Sequence, residues 1–138
     1  MAMNYSWNWG VLLQPTGVGN EVYWQWLLTG FKWLLVIGGS GWLIALIIGT
    51  ILGIMRTLPN KTARAIGTAY VSFFRNIPLL IQLFFWFYVA PTWLTPALQK
   101  WWFQELDPNT SAVISASLGL GLFTAARIAE QVRTGIES

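Results

Sequence analysis

Apolar residues fall in long unbroken runs along this chain instead of alternating with polar ones. Residues 33–55 carry no charge, and residues 109–126 form a second uncharged run. A bilayer's hydrocarbon core is about 30 Å thick, so at 1.5 Å per helical residue a crossing needs roughly 20 residues. The first run therefore predicts a transmembrane helix over 26–56 and the second a weakly hydrophobic one over 109–127. Trp24, Trp26 and Trp33 mark the first helix's outer end, with Lys32 able to snorkel to the same level. Its other end is set by Arg56 followed by Pro59 and Asn60.

Between these runs, residues 77–90 are apolar but too few to cross alone. A second transmembrane helix over 76–90 becomes long enough by borrowing turns from the segment before it, with a kink at Asn76 to Pro78. That segment, 57–75, places Ile66, Tyr70 and Phe73 near helical spacing and predicts an amphipathic surface helix. Residues 91–108, with Pro91, Pro96, Trp93, Trp101 and Trp102, read as a loop holding a short interfacial helix around 95–103. Asp107 is placed to cap the third span, with Pro108 in its first turn. Beyond it, Ile128, Val132 and Ile136 recur beside Arg127, Glu130 and Arg133, predicting a partly solvated helix over 128–138. Residues 1–25 form a lead-in. The fold class expected is all-α transmembrane, with three membrane-spanning helices plus interfacial helices.

Only 9% of the 138 residues are charged and 55% are hydrophobic, too little polarity to clothe a water-soluble domain of this length. Cysteine and histidine are absent, which removes thiolate, disulfide and imidazole chemistry. The formal charge of +3 reads as topology rather than nucleic-acid binding. Arg56, Lys61, Arg64 and Arg75 lie between the first two spans and Arg127 and Arg133 follow the third, while Lys100 is the one base in the other loop. The positive-inside rule then puts the N-terminus outside and the C-terminus in the cytoplasm. Glu105 and Asp107 lack a paired base and no glycine-rich phosphate loop occurs, so neither catalysis, a cofactor nor a metal is expected.

Three constellations remain. Gly41, Ala45, Gly49 and Gly53 repeat every four residues in the first span. Ser117, Gly121, Ala125 and Ala129 do so in the third, beside Ser111, Ser115 and Gly119. Such stripes let helices approach closely in lipid; the alternative for the three serines is a pore lining. Arg75, Asn76 and Pro78, with Gln82 one turn deeper, mark a membrane boundary that reads either as a hinge or as a fixed anchor. In the hinge reading Asn76 caps N–H groups freed near Pro78, and Gln82 hydrogen-bonds between helices. Arg127, Glu130 and Arg133 read either as ion pairs on a wet helix face or as a face toward a cytoplasmic partner.

The stretches YVSFFRNIPLLIQLFFWFYVAP and GLFTAARIAEQVRTGIES, together with SWNWGVLLQP, GIMRTLPN and ELDPN, resemble the integral-membrane permease subunits of bacterial importers of the ATP-binding-cassette class for polar amino acids. Among these, the likeness is greatest to those that carry glutamate and aspartate. The resemblance implies the N-terminal part of a type I importer permease in the inner membrane, with a periplasmic N-terminus. It implies a second permease subunit, a cytoplasmic ATPase dimer and a periplasmic substrate-binding protein as partners. ATP would be hydrolysed by the partner, and the chain itself would be no enzyme. Family members continue past the equivalent of Ile136, Glu137 and Ser138 into an ATPase-docking loop and further helices, so the chain is expected to be a portion not competent alone. The competing reading is a small three-helix assembly or regulatory subunit that transports nothing.

Overall fold

A computed structural model describes residues 6–138; the first five residues of the expected lead-in lie outside the described residues. All regular structure among the described residues is helical apart from one isolated bridge between Pro15 and Val22. The chain divides into two compact units, residues 1–35 and 36–138.

In the first unit, the side chain of Asn8 accepts from the Gly10 N–H at 3.1 Å and caps a short 3-10 turn, Trp9–Leu13. The chain then reverses: Thr16 N–H donates to the Glu21 carbonyl at 2.9 Å and Tyr23 N–H to the Gln14 carbonyl at 3.2 Å. Gly17 and Gly19 make that reversal with φ of 79° and 61°, a region open to glycine and strained for other residues. Trp26 Nε1 donates to Glu21 Oε2 at 2.6 Å as helix α1 (Tyr23–Thr57) begins.

The second unit holds the rest of α1, then α2 (Lys61–Asn76), α3 (Leu79–Phe84), α4 (Pro96–Lys100) and α5 (Pro108–Glu137). Helix α3 runs on through a π turn, Phe85–Val89, and a 3-10 turn, Ala90–Trp93; α4 runs into a second π turn, Trp101–Glu105. Local chemistry sets the starts. Asn60 accepts from the N–H groups of Thr62 and Ala63, and Asp107 from that of Thr110, with Pro108 in the first turn of α5. Each bond satisfies a donor the helix cannot satisfy itself.

At 1.5 Å per residue, α1 with 35 residues and α5 with 30 are roughly 52 and 45 Å long, more than a bilayer core requires. Leu43, Ile47 and Ile51 of α1 are each more than half exposed, as lipid-facing side chains are. This is an all-α transmembrane protein. Two helices are long and apolar enough to cross, and a third crossing exists if α2 and the run Leu79–Trp93 count as one broken span.

Helix α5 is unbroken to Glu137, so residues 128 onward continue the helix of the expected third span, with Ile128 and Val132 packed against α1. One feature differs from the expected layout. The expected kink before the second span is a bend of 102°, far sharper than a proline kink in a continuous helix. Ile77 is extended and Pro78, which has no N–H, stands outside α3 as its N-cap, so the helical hydrogen-bond ladder stops instead of bending.

A small core closes the Arg56 end of the bundle. Leu52, Val71, Ala126 and Ala129 are buried together, with Ile48, Met55, Tyr70 and Phe74 packed around them. Tyr70 Oη donates to the Leu122 carbonyl at 2.9 Å, tying α2 across α5.

Candidate functional site

The two small-residue stripes face each other. A Cβ on Gly49 would stand 2.7 Å from Ile128 Cβ and 2.8 Å from the Ala125 carbonyl oxygen; on Gly53, 2.6 Å from Val132 Cβ; on Gly121, 2.7 Å from Ile44 Cβ. Gly41 is looser, its nearest neighbour being Leu120 Cδ2 at 3.1 Å. Ala45 and Ala125 are fully buried, and Ser40 Oγ donates to Ser117 Oγ at 2.7 Å across the seam. Lipid tails remove the usual hydrophobic drive between helices, so contact must come from such close approach and from buried hydrogen bonds.

The second stripe of α5 faces a different neighbour. A Cβ on Gly119 would meet Leu83 Cδ2 at 2.9 Å, and Ser115 Oγ donates to the Trp86 carbonyl at 3.4 Å, a carbonyl within the π turn. Ser111 Oγ bonds the Pro108 carbonyl of its own helix. Ser111, Ser115 and Ser117 are all buried and hydrogen-bonded inside the chain.

At the bend, α3 has no side-chain cap, so Asn76 does not serve the N–H groups near Pro78 as the sequence predicts. Hydrogen bonding runs the other way. The α2 terminus leaves carbonyls without helical partners, and Gln82, 4% exposed, reaches back from α3 to them. Its Nε2 donates to the Ile77 carbonyl at 3.0 Å and the Phe74 carbonyl at 3.3 Å. Gln82→Met keeps the volume and removes the donor, and is expected to destabilise the fold by about 1–3 kcal/mol. A lowered denaturation midpoint in detergent micelles checks this; an unmoved midpoint would mean that the carbonyls find other partners.

The C-terminal end of α5 carries the charged group. Glu130 Oε2 accepts from Arg56 Nη1 at 2.5 Å and Glu130 Oε1 from Arg133 Nη2 at 2.6 Å, while Arg133 also pairs with Glu137. The Arg56 bond joins α1 to α5. Gly67 makes room for it, since a Cβ there would stand 2.7 Å from Arg56 Cγ and 3.2 Å from the Leu52 carbonyl oxygen. Glu130 lies beyond the uncharged run of α5, and the hydrogen bonds from Arg133 and then Arg56 hold its carboxyl down to about 2. Arg127 stays out of this network, its guanidinium lying 4.8 Å from the Phe123 ring centroid. Arg75 and Asn76 are exposed at the end of α2.

Sequence reasoning found the Glu130 and Arg133 pair but missed Arg56, 74 residues away. The available signal was depth: Arg56 ends one uncharged run and Glu130 follows the end of another. Gly67 and Tyr70 carried no comparable signal, because their partners depend on how α2 crosses α1 and α5.

The fold defines an all-helical membrane-spanning chain, and along nearly its whole length the sequence resembles the permease proteins of amino-acid importers. In particular, it is 44% identical over 136 residues, 99% of its length, to the glutamate/aspartate import permease protein GltJ of Escherichia coli (strain K12), of which it covers 55%. It is 33% identical over 113 residues, 81% of this chain and 48% of the relative, to the glutamate/aspartate import permease protein GltK of Escherichia coli O157:H7. It is 34% identical over 92 residues, 67% of this chain and 37% of the relative, to the probable glutamine ABC transporter permease protein GlnM of Bacillus subtilis (strain 168). The chain thus spans about half the length of the curated glutamate/aspartate permeases it matches. No family model matches. No solved structure matches.

Proposed function

We propose that this chain is part of the membrane-spanning permease of an ATP-binding-cassette importer that carries amino acids inward, glutamate and aspartate foremost. Identity of 44% along 99% of the chain to a glutamate/aspartate import permease protein is the observation that carries this reading. In it, ATP is hydrolysed by a cytoplasmic ATPase dimer, this chain being no enzyme. A second permease subunit completes the pathway, and a periplasmic binding protein delivers substrate. The N-terminus is periplasmic, as the clustering of bases at one end of the spans supports.

The bend at Arg75, Asn76 and Pro78 is then the joint between a surface helix and the second span, with Gln82 latching it. The seam of Gly41, Ala45, Gly49, Gly53, Ser117, Gly121 and Ala125 makes α1 and α5 one rigid pair. Arg127, Glu130 and Arg133 mark the face turned to the cytoplasmic partner.

The test is a chimera. This segment replaces the corresponding half of the Escherichia coli glutamate/aspartate permease in cells lacking their own, and uptake of labelled glutamate is measured. Energy-dependent uptake competed by aspartate is expected. A chimera that inserts and assembles with its partners but restores no uptake of either amino acid would overturn the assignment.

A further inference from the structure

Two arginines bind the Glu130 carboxylate and two more line a cavity beside it, and that carboxylate is already spent. Glu130 gives one oxygen to Arg56 and the other to Arg133, whose second arm is taken by Glu137. Among the described residues, Arg75 of α2 and Arg127 of α5 have no carboxylate partner. These two line the same open cavity of about 480 Å³, with Phe123, Glu130 and Gln131. The Arg127 guanidinium lies 4.8 Å from the Phe123 ring centroid, a cation–π contact that leaves guanidinium N–H groups able to donate.

Depth narrows the ligand. Arg127 is the first charge after the uncharged run 109–126, and Arg75 is the last before the uncharged run 76–99. Both guanidinium groups therefore stand where hydrocarbon gives way to headgroups, on two helices that flank one cavity. A guanidinium matches phosphate oxygens with two parallel N–H donors, and basic pockets between membrane helices hold phosphate-bearing headgroups. We propose that Arg75 and Arg127 form a binding site for a phosphate-bearing anion, with an anionic lipid headgroup as the source their level favours. This gives Arg127 a headgroup partner in place of the cytoplasmic one, leaving Glu130 and Arg133 on the partner face; it does not need the chain to transport amino acids.

The 138-residue chain, purified in neutral detergent, is titrated with phosphatidylglycerol or with phosphatidylcholine, and retained lipid is counted by native mass spectrometry. Retention of one phosphatidylglycerol in preference to phosphatidylcholine is expected. Arg75→Gln/Arg127→Gln should weaken it by at least about tenfold, and Arg75→Lys/Arg127→Lys, which keeps the charge but not the fork, should fall between. Lys61→Gln/Arg64→Gln removes two bases from the same arginine-rich stretch without touching the cavity, and should change retention by less than about threefold. Inorganic phosphate that displaces the lipid with the same dependence on Arg75 and Arg127 would uphold the site and make its ligand a soluble phosphate. Equal retention of both lipids, or equal weakening by both neutralising variants, would overturn the proposal and leave the arginines as general surface charge or as partners for an acidic protein.

Discussion

Gly49→Leu is expected to drive α1 and α5 apart. A Cβ alone would stand 2.7 Å from Ile128 Cβ and 2.8 Å from a backbone oxygen of α5, and a backbone cannot step aside as a flexible side chain can. Overpacking of this kind costs about 1–3 kcal/mol in a well-packed core, and in lipid no hydrophobic gain offsets the lost contact. The chain has no cysteine, so Ser40→Cys/Ser117→Cys makes a clean reporter where two hydroxyls now lie 2.7 Å apart. Oxidative cross-linking should proceed readily in that background and slow by about tenfold or more when Gly49→Leu is added. Gly38→Leu is the control on the same helix, because nothing lies within 4 Å of the Cβ it would add. If both substitutions slowed cross-linking alike, the seam would not be what holds the helices together.

The second large effect is expected from Glu130→Gln. It leaves Arg56, whose side chain is only 12% exposed, and Arg133 without the carboxylate that joins them. Breaking a fully buried pair costs about 3–5 kcal/mol and an exposed one about 1 kcal/mol or less. This pair lies between, so about 1–3 kcal/mol is expected. Denaturation midpoints of Glu130→Gln, Arg56→Gln and the double variant form a cycle that isolates the coupling; the double variant should recover part of the loss, and strict additivity would show that the pair is idle.

The same pair predicts a pH dependence. A carboxyl held low in the folded state contributes stability that is fully present above its unfolded pKa, ordinarily about 4.3, and is lost as pH falls toward the folded value of about 2. The difference between parent and Glu130→Gln should therefore be constant from neutral pH down to about 5 and shrink below about 4.

Much of the layout was legible because membrane insertion reads local composition. Two uncharged runs located α1 and α5, and Asp107, bonded to an N–H three residues on, sets the start of α5 with Pro108 in its first turn; Asn60, read as ending the first span, also caps α2. Spacing of small residues at every fourth position likewise marked faces of α1 and α5, since helical periodicity is a local property.

What faced those stripes was not local. Residues 41–53 could have met a second chain as readily as this one, and only the packed structure brings them against Gly121, Ala125 and Ile128. At the bend, the sequence named Asn76 as the cap, whereas the carbonyls at the end of α2 are satisfied from Gln82, because a 102° turn carries that side chain back over the break. The sequence by itself determined which segments can enter a membrane, where their charged ends lie and which faces permit close approach, all consequences of residue type and helical period. The tertiary structure decided that Arg56 meets Glu130, that Gly67 makes room for it and that Arg75 and Arg127 line one cavity. Those relations depend on the crossing of helices far apart in sequence, which no local preference encodes.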